Sequence, residues 1–213
     1  PIGYTPIFSH PDPTLKRKSG LLKPSGGWTA ELGTFVKQGY YWDIAPDKDM
    51  TILLEPTTRK GILLETQWRQ RFEKGKLNID ASTARSDRVE QNGDISQDKQ
   101  RGSLFADGRF DLDQRWRTGF NVERTTDKEY LGVYSLSETK ILETSAYAER
   151  FSGRDYSKVS ALTFQDIRVG NRPEQPDILP LVEHHMLGEP GDAFGGRWSL
   201  DAAAAGLNRS NDG

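Results

Sequence analysis

The sequence predicts an all-β fold, an antiparallel up-and-down meander that forms part of a large outer-membrane β-barrel. Three observations predict it. Apolar and polar side chains alternate with period two over long segments, as strands with one lipid face and one wet face require. Short and long polar connections follow one another in turn along the chain. No run of about 18 apolar residues offers a membrane helix, so a membrane reading has to rest on strands. The composition agrees: 34% of the 213 residues are hydrophobic, 28% are charged and the formal net charge is −2. That balance gives no strong pull towards nucleic acid or anionic lipid. With no cysteine, disulfides and thiolate metal sites are excluded.

Five segments carry the alternation. Trp28, Ala30, Leu32, Thr34 and Val36 oppose Thr29, Glu31, Gly33, Phe35 and Lys37; Leu77, Ile79, Ala81 and Thr83 oppose Asn78, Asp80, Ser82 and Ala84. Leu104, Ala106, Gly108 and Phe110 face away from Ser103, Phe105, Asp107, Arg109 and Asp111, and Trp116, Thr118, Phe120 and Val122 away from Arg117, Gly119, Asn121 and Glu123. Trp198, Leu200, Ala202 and Ala204 complete the set against Arg197, Ser199, Asp201 and Ala203. A soluble β-sandwich also alternates, but its strands average about 5–6 residues, whereas several segments here stay extended for the roughly 9–11 that a tilted strand needs to cross a bilayer. The apolar stripes also end in Trp28, Phe110, Trp116 and Trp198, as interfacial girdles do.

Short turns are expected at Ala45–Asp49, Glu73–Lys76, Leu112–Arg115 and Ser152–Asp155, and longer polar stretches at Ser86–Arg101, Arg124–Tyr130 and Asp166–Asp177. On this scheme Glu31, Lys37, Glu65, Arg69, Asp107, Arg109, Arg117 and Glu123 face the lumen, because an Arg or Lys facing lipid at the midplane costs about 2–4 kcal/mol. Tyr156–Gln165 resists the scheme, since Lys158 shares a face with Tyr156, Leu162 and Phe164. Leu179–Leu187 holds Pro180 and the pair His184-His185; a metal reading with Glu183 lacks a third ligand, and a structural histidine pair is favoured. No Ser-His-Asp arrangement, phosphate-cradling glycine loop or nucleophile elbow stands out, so no catalytic residue, cofactor or metal is expected. The chain opens on Pro1 without a signal peptide and ends on the polar tail Asn208–Gly213; it reads as an internal fragment.

The stretch Pro6-Ile7-Phe8-Ser9-His10-Pro11-Asp12-Pro13, with Lys16-Arg17-Lys18-Ser19-Gly20-Leu21-Leu22-Lys23-Pro24 and then Tyr40-Tyr41-Trp42-Asp43-Ile44-Ala45-Pro46, resembles the LPS-assembly family LptD where its periplasmic domain meets the first barrel strands. By itself the same stretch is a proline-rich linker with a solvated basic cluster. The resemblance is carried by Pro6–Gly61 and is architectural beyond. It implies residues 1–18 as the end of a periplasmic domain and linker, and 19–213 as about ten or eleven strands of a barrel in the Gram-negative outer membrane. Such a piece is expected to form an open curved sheet. The resemblance further implies lipopolysaccharide as the cargo, the lipoprotein LptE as barrel plug, and a periplasmic transport bridge docking on the missing N-terminal domain. It places a lateral-gate seam at the first strands: Pro24 stands where the family has a proline, and Gly39 where it often has a second. A passive porin and a soluble β-rich carbohydrate-binding domain are the alternatives.

Overall fold

The computed structural model describes residues 17–89, 95–168, 175–188, 191 and 197–209. The linker motif up to Lys16, with His10, lies outside the described residues, as do 90–94, 169–174 and 210–213 of the expected loops and tail. The described strands are β1 (Gly20–Leu21), β2 (Ser25–Thr29), β3 (Gly33–Ala45), β4 (Lys48–Pro56), β5 (Ile62–Phe72), β6 (Gly75–Val89), β7 (Ile95–Asp111), β8 (Trp116–Thr125), β9 (Ile141–Ser152), β10 (Asp155–Asp166), β11 (Asp177–Leu187) and β12 (Ser199–Asn208), with one helical turn, α1 (Tyr130–Val133), between β8 and β9. They form one antiparallel meander in chain order, with β1 and β2 both on β3. Among the described residues β12 does not meet β1 or β2, so the sheet stays open. Among them, too, no helix is long and apolar enough to cross a membrane, which says nothing of strands.

Opposed residues of an antiparallel pair share a face, so the register sorts the chain into two surfaces. One rung runs Trp42, Met50, Trp68, Ile79, Ala106 and Val122 across β3 to β8. The next runs Asp43, Asp49, Arg69, Asn78, Asp107, Asn121 and Ser145 across β3 to β9, omitting no strand. On the apolar surface Val36, Trp42, Leu54, Ile62, Leu104, Trp116, Val159, Val182 and Leu200 are all exposed. Several strands reach 10–17 residues, long enough to cross a bilayer.

The two segments without a clear register are now ordered. Lys158 lies on the polar surface opposite Glu183, 3.9 Å away, and over the Tyr147 ring. Leu162 and Phe164 share that surface with Ser145 and Glu143, while Val159 and Ala161 face the apolar side with Ala148 and Ala146. In β11 an extra residue near Leu179-Pro180 shifts the register against both neighbours, which is how a strand accommodates a proline. His184 and His185 point to opposite faces; His184 Nδ1 lies 2.9 Å from Ser157 Oγ and His185 Nδ1 2.5 Å from Asp201 Oδ1.

Three sequence expectations change. Trp28–Lys37 is not one strand but a hairpin turning at Ala30–Leu32, where Thr29 Oγ1 accepts the Leu32 N–H at 3.1 Å. Gly33 follows with φ +71°, and a Cβ there would collide with Thr58 Oγ1. Glu31 therefore sits in the turn rather than on the wall, and Leu32 is buried. The described part of Ser86–Arg101 is strand, extending the β6–β7 hairpin. Arg124–Tyr130 runs from β8 into α1, whose Tyr130 and Leu131, with Tyr134 just after it, enter a small core with Leu32, Leu63, Ala84, Leu142 and Ile167. Leu63 is fully buried under that segment, so Leu63→Ala is expected to cost about 2–5 kcal/mol. Hydrogen exchange should rise around Tyr130–Tyr134 while the β9–β10 ladder keeps its protection.

Candidate functional site

The first strand is broken. Between the pairs Leu21↔Tyr40 and Ser25↔Lys37, three residues, Leu22, Lys23 and Pro24, face two, Gln38 and Gly39. This is a bulge, with a proline that has no N–H to give. Two bonds span the gap, Leu22 N–H to the Gly39 carbonyl at 2.8 Å and the Gln38 side-chain amide to the Leu22 carbonyl at 2.9 Å; the same amide also donates to the Gly39 carbonyl on its own strand at 2.8 Å. The structure brings Pro24 and Gly39 together here, with different parts to play. Gly39 makes its backbone bond; what it lacks is bulk, since a Cβ would lie 2.6 Å from Leu53 Cδ2 and 2.8 Å from Leu22 Cδ1.

The polar surface is a wall of paired charges. Lys37 bridges Glu55 (3.2 Å) and Glu65 (2.7 Å). Arg69 holds Asp49 at 2.8 Å, and Asp49 also takes Arg17. Asp107 accepts from Asn78 at 3.1 Å, and Arg117 reaches Asp111 (2.7 Å) and Glu149 (3.1 Å). Glu123 fills the opening where β8 and β9 part beyond Asn121↔Ser145: its carboxylate accepts from Asn121 and from the Glu143 N–H at 3.2 Å, and its own N–H donates to Thr144 Oγ1. Arg109 lies opposite Lys76 on the same surface. Of the eight residues expected on a wet wall, seven share one face of one sheet, with Glu31 in the turn.

The β8–β9 connection folds back over this wall, a feature that period-two reading could not register because the segment is not a strand. Tyr130 OH donates to Ser82 Oγ (3.0 Å) and Tyr134 OH to the Lys60 carbonyl (2.8 Å), so the turn is pinned to the polar side of β5 and β6. Leu136 and Ser137 roof a cavity of about 460 Å³ over Glu65, Asp80, Ser82 and Phe105. The anchor is a buried ion pair: Arg101, 1% exposed, donates Nε to Asp127 Oδ2 (2.9 Å) and Nη2 to Asp127 Oδ1 (2.6 Å). Asp127 Oδ1 also caps the first turn by accepting the Tyr130 N–H at 2.9 Å. Burial pushes the Asp127 carboxyl up, but the Arg101 fork and the local N–H groups outweigh it, so its pKa falls below the ordinary carboxylate value. Burial drives the Tyr130 phenol up to about 12.

Because the folded Asp127 value is depressed, its stabilisation is present above the unfolded value near 4 and is lost as pH falls through the folded one. The docked segment is expected to persist from neutral pH to about pH 4 and to open only in stronger acid. Asp127→Asn leaves Arg101 buried without its counter-charge, costs about 3–5 kcal/mol, and should free the segment at neutral pH. Hydrogen exchange of residues 126–140 reads both.

A family model, LptD: LPS transport system D, matches residues 99–212. The LPS-assembly protein LptD of Xylella fastidiosa is 26% identical over 185 residues, covering 77% of this chain and 22% of that protein. That of Xanthomonas oryzae pv. oryzae is 27% identical over 177 residues (74% and 20%), and that of Haemophilus influenzae 27% over 152 (71% and 19%). The chain spans about a fifth of the length of these relatives. Proteins of this family sit in the outer membrane of Gram-negative bacteria and are transport barrels rather than enzymes. A matched model over more than half of the chain, on a meander of membrane-spanning length with one apolar and one polar surface, makes the chain a member of the LptD family.

Proposed function

We propose that this chain supplies the opening strands of a barrel that delivers lipopolysaccharide to the outer leaflet, and that the cargo leaves sideways beside β1 and β2. The observation that carries the reading is the bulge at Leu22–Pro24, on the strand that leaves one sheet edge open. A strand that contributes only two and five paired residues on either side of a proline costs less to peel away than the unbroken nine-residue pairing of β4 with β5. In this reading the polar surface with Lys37, Glu65, Arg69, Asp107, Arg109, Arg117 and Glu123 is the lumen wall, and the segment docked by Arg101–Asp127 narrows the lumen at the long-connection end. Residues 1–18 close a periplasmic domain, and 19–213 are barrel. A plug lipoprotein of the LptE kind inside the barrel, and a periplasmic bridge that hands cargo to the N-terminal domain, complete the assembly.

Two tests in the full-length protein follow. Ala106 and Asp107 are neighbours on β7 with opposite faces; Ala106→Arg should impair insertion, at about 2–4 kcal/mol near the midplane, whereas Asp107→Arg should assemble normally. Equal tolerance at both would reverse or remove the bilayer face. Pro24→Val restores a donor worth about 0.5–1.5 kcal/mol per ladder bond and should favour the closed seam. Cells relying on it should display less surface lipopolysaccharide and become sensitive to large hydrophobic antibiotics at unchanged barrel abundance. Gly39→Val meets Leu22 and Leu53 and should loosen the strand instead, so it should not reproduce the closed phenotype. Normal lipopolysaccharide display by Pro24→Val at normal protein level would take the proline out of the mechanism.

A further inference from the structure

One rung of the polar surface breaks the pattern of compensated charge. Arg71 on β5 lies directly opposite Lys76 on β6, and Lys76 directly opposite Arg109 on β7, so three cations stand side by side one rung in from the short-turn end, where Phe72, Gly75 and Phe110 form the next rung. Like charges in opposed positions destabilise a sheet. Among the described residues none of the three makes an ion pair, in contrast with Lys37, Arg69, Arg101, Arg117 and Lys158 on the same sheet. Asp111 is held by Arg117 at 2.7 Å and Asp49 by Arg69 and Arg17, while Asp107, two positions from Arg109 on the same face, accepts from the Asn78 amide, and Asp47 joins Arg71 through its backbone carbonyl. All three side chains are exposed. Beside them opens a cavity of about 580 Å³, lined by Arg17, Arg69, Arg71 and Lys76 against only Asp47 and Asp49.

We infer that the Arg71–Lys76–Arg109 rung is a binding site for the phosphate groups of a phosphorylated saccharide headgroup. Strands lie about 4.8 Å apart, so the three positions span roughly 10 Å along one rung, the scale of one phosphorylated headgroup; Arg71 and Lys76 line the cavity and Arg109 stands beside Lys76 on the next strand. Arginine offers a planar fork that grips phosphate through two bonds, and lysine adds a point charge between the two forks. The adjoining cavity falls within the roughly 300–1,000 Å³ of sites that hold small ligands, which gives the sugar a place beside its phosphate. The repulsion within the empty rung is relieved when the anion arrives. This inference rests on the proposed reading of the polar surface as the lumen wall, and it names the part of the cargo that this surface holds.

The test compares wild type with the triple variant Arg71→Gln, Lys76→Gln, Arg109→Gln in the full-length protein in detergent. The probes are phosphorylated lipid A, the same lipid A after phosphatase treatment, and inorganic phosphate. Wild type should bind the phosphorylated form, and millimolar inorganic phosphate should compete. The variant should lose about tenfold or more in affinity for that form, with no change for the dephosphorylated one. A variant with Arg71→Lys and Arg109→Lys should keep most of the binding. The triple variant should also melt higher than wild type without ligand, since it removes repulsion; this guards against a loss of affinity that merely reports misfolding. Equal affinity of variant and wild type for the phosphorylated form, or parallel loss for both lipid forms, overturns the inference. So does competition by polyglutamate without competition by phosphate, which would make the rung a dock for an acidic protein segment. Failure here leaves the Ala106/Asp107 contrast untouched, whereas a wrong assignment of the faces abolishes that contrast first.

Discussion

Every feature above depends on the antiparallel register from β3 to β12, because a strand's side chains alternate faces and a slip of one residue would exchange the two surfaces. Where the register does shift, the irregularity falls near a strand end or at a proline: after Asp43, after Ser86, and at Leu179-Pro180. Between those points the rungs run straight, and residues far apart in sequence, such as Trp42 and Val122, come to one surface through successive cross-strand pairs. The open first edge is the other side of the same constraint. Among the described residues that edge is formed by the strand with the fewest paired residues, two in β1.

The polar surface shows how a sheet with no thick core keeps a defined shape. Apart from the small cluster around Leu63, Tyr130 and Leu131, cohesion comes from ladder bonds and from charges that answer one another across strands. Lys37 between two glutamates and Arg117 between Asp111 and Glu149 each tie three strands. The Arg101–Asp127 pair works differently. It is buried, so its desolvation is costly, and what it secures is placement: the fork geometry and the Asp127 cap allow the β8–β9 segment one docking position.

The two-faced sheet was legible in the sequence because period two is a local signal: Leu77–Thr83, Leu104–Phe110 and Trp116–Val122 all keep the faces their alternation predicts. Alternation alone cannot see a turn that interrupts it in phase. The Trp28–Lys37 pattern survives through Ala30–Leu32 even though the backbone reverses there, so Glu31 and Leu32 were misplaced while Lys37 was not. The docked segment was illegible for a complementary reason: Tyr130, Leu131 and Tyr134 have helical spacing over a single turn, too short to register, and their partners Ser82, Lys60 and Leu63 are some 48 to 74 residues away in the chain for the bonded pairs. The bulge was half legible. Proline announced a break, but the Gln38 amide that patches it, and the Leu22 packing that demands glycine at position 39, exist only once β3 lies beside the first strand.

The distribution of charge gives the wall a direction along the strands. At the long-connection end the polar surface is covered by Tyr130, Leu131 and Tyr134, and the guanidinium there is fully engaged with Asp127. At the short-turn end Arg71, Lys76 and Arg109 stand exposed and, among the described residues, make no ion pair. On the proposed reading, an anionic headgroup on this surface meets its strongest attraction at the end with the short turns, and more compensated charge beyond it. On that reading the arrangement would capture cargo at one end without binding it tightly all along the path, and transport needs that asymmetry because a site that holds as firmly at the exit as at the entrance does not release. The bulged first strand begins its break at Leu22, opposite Gly39 in the middle of β3, so on the proposed reading the weak edge lies past the cationic mouth rather than at it.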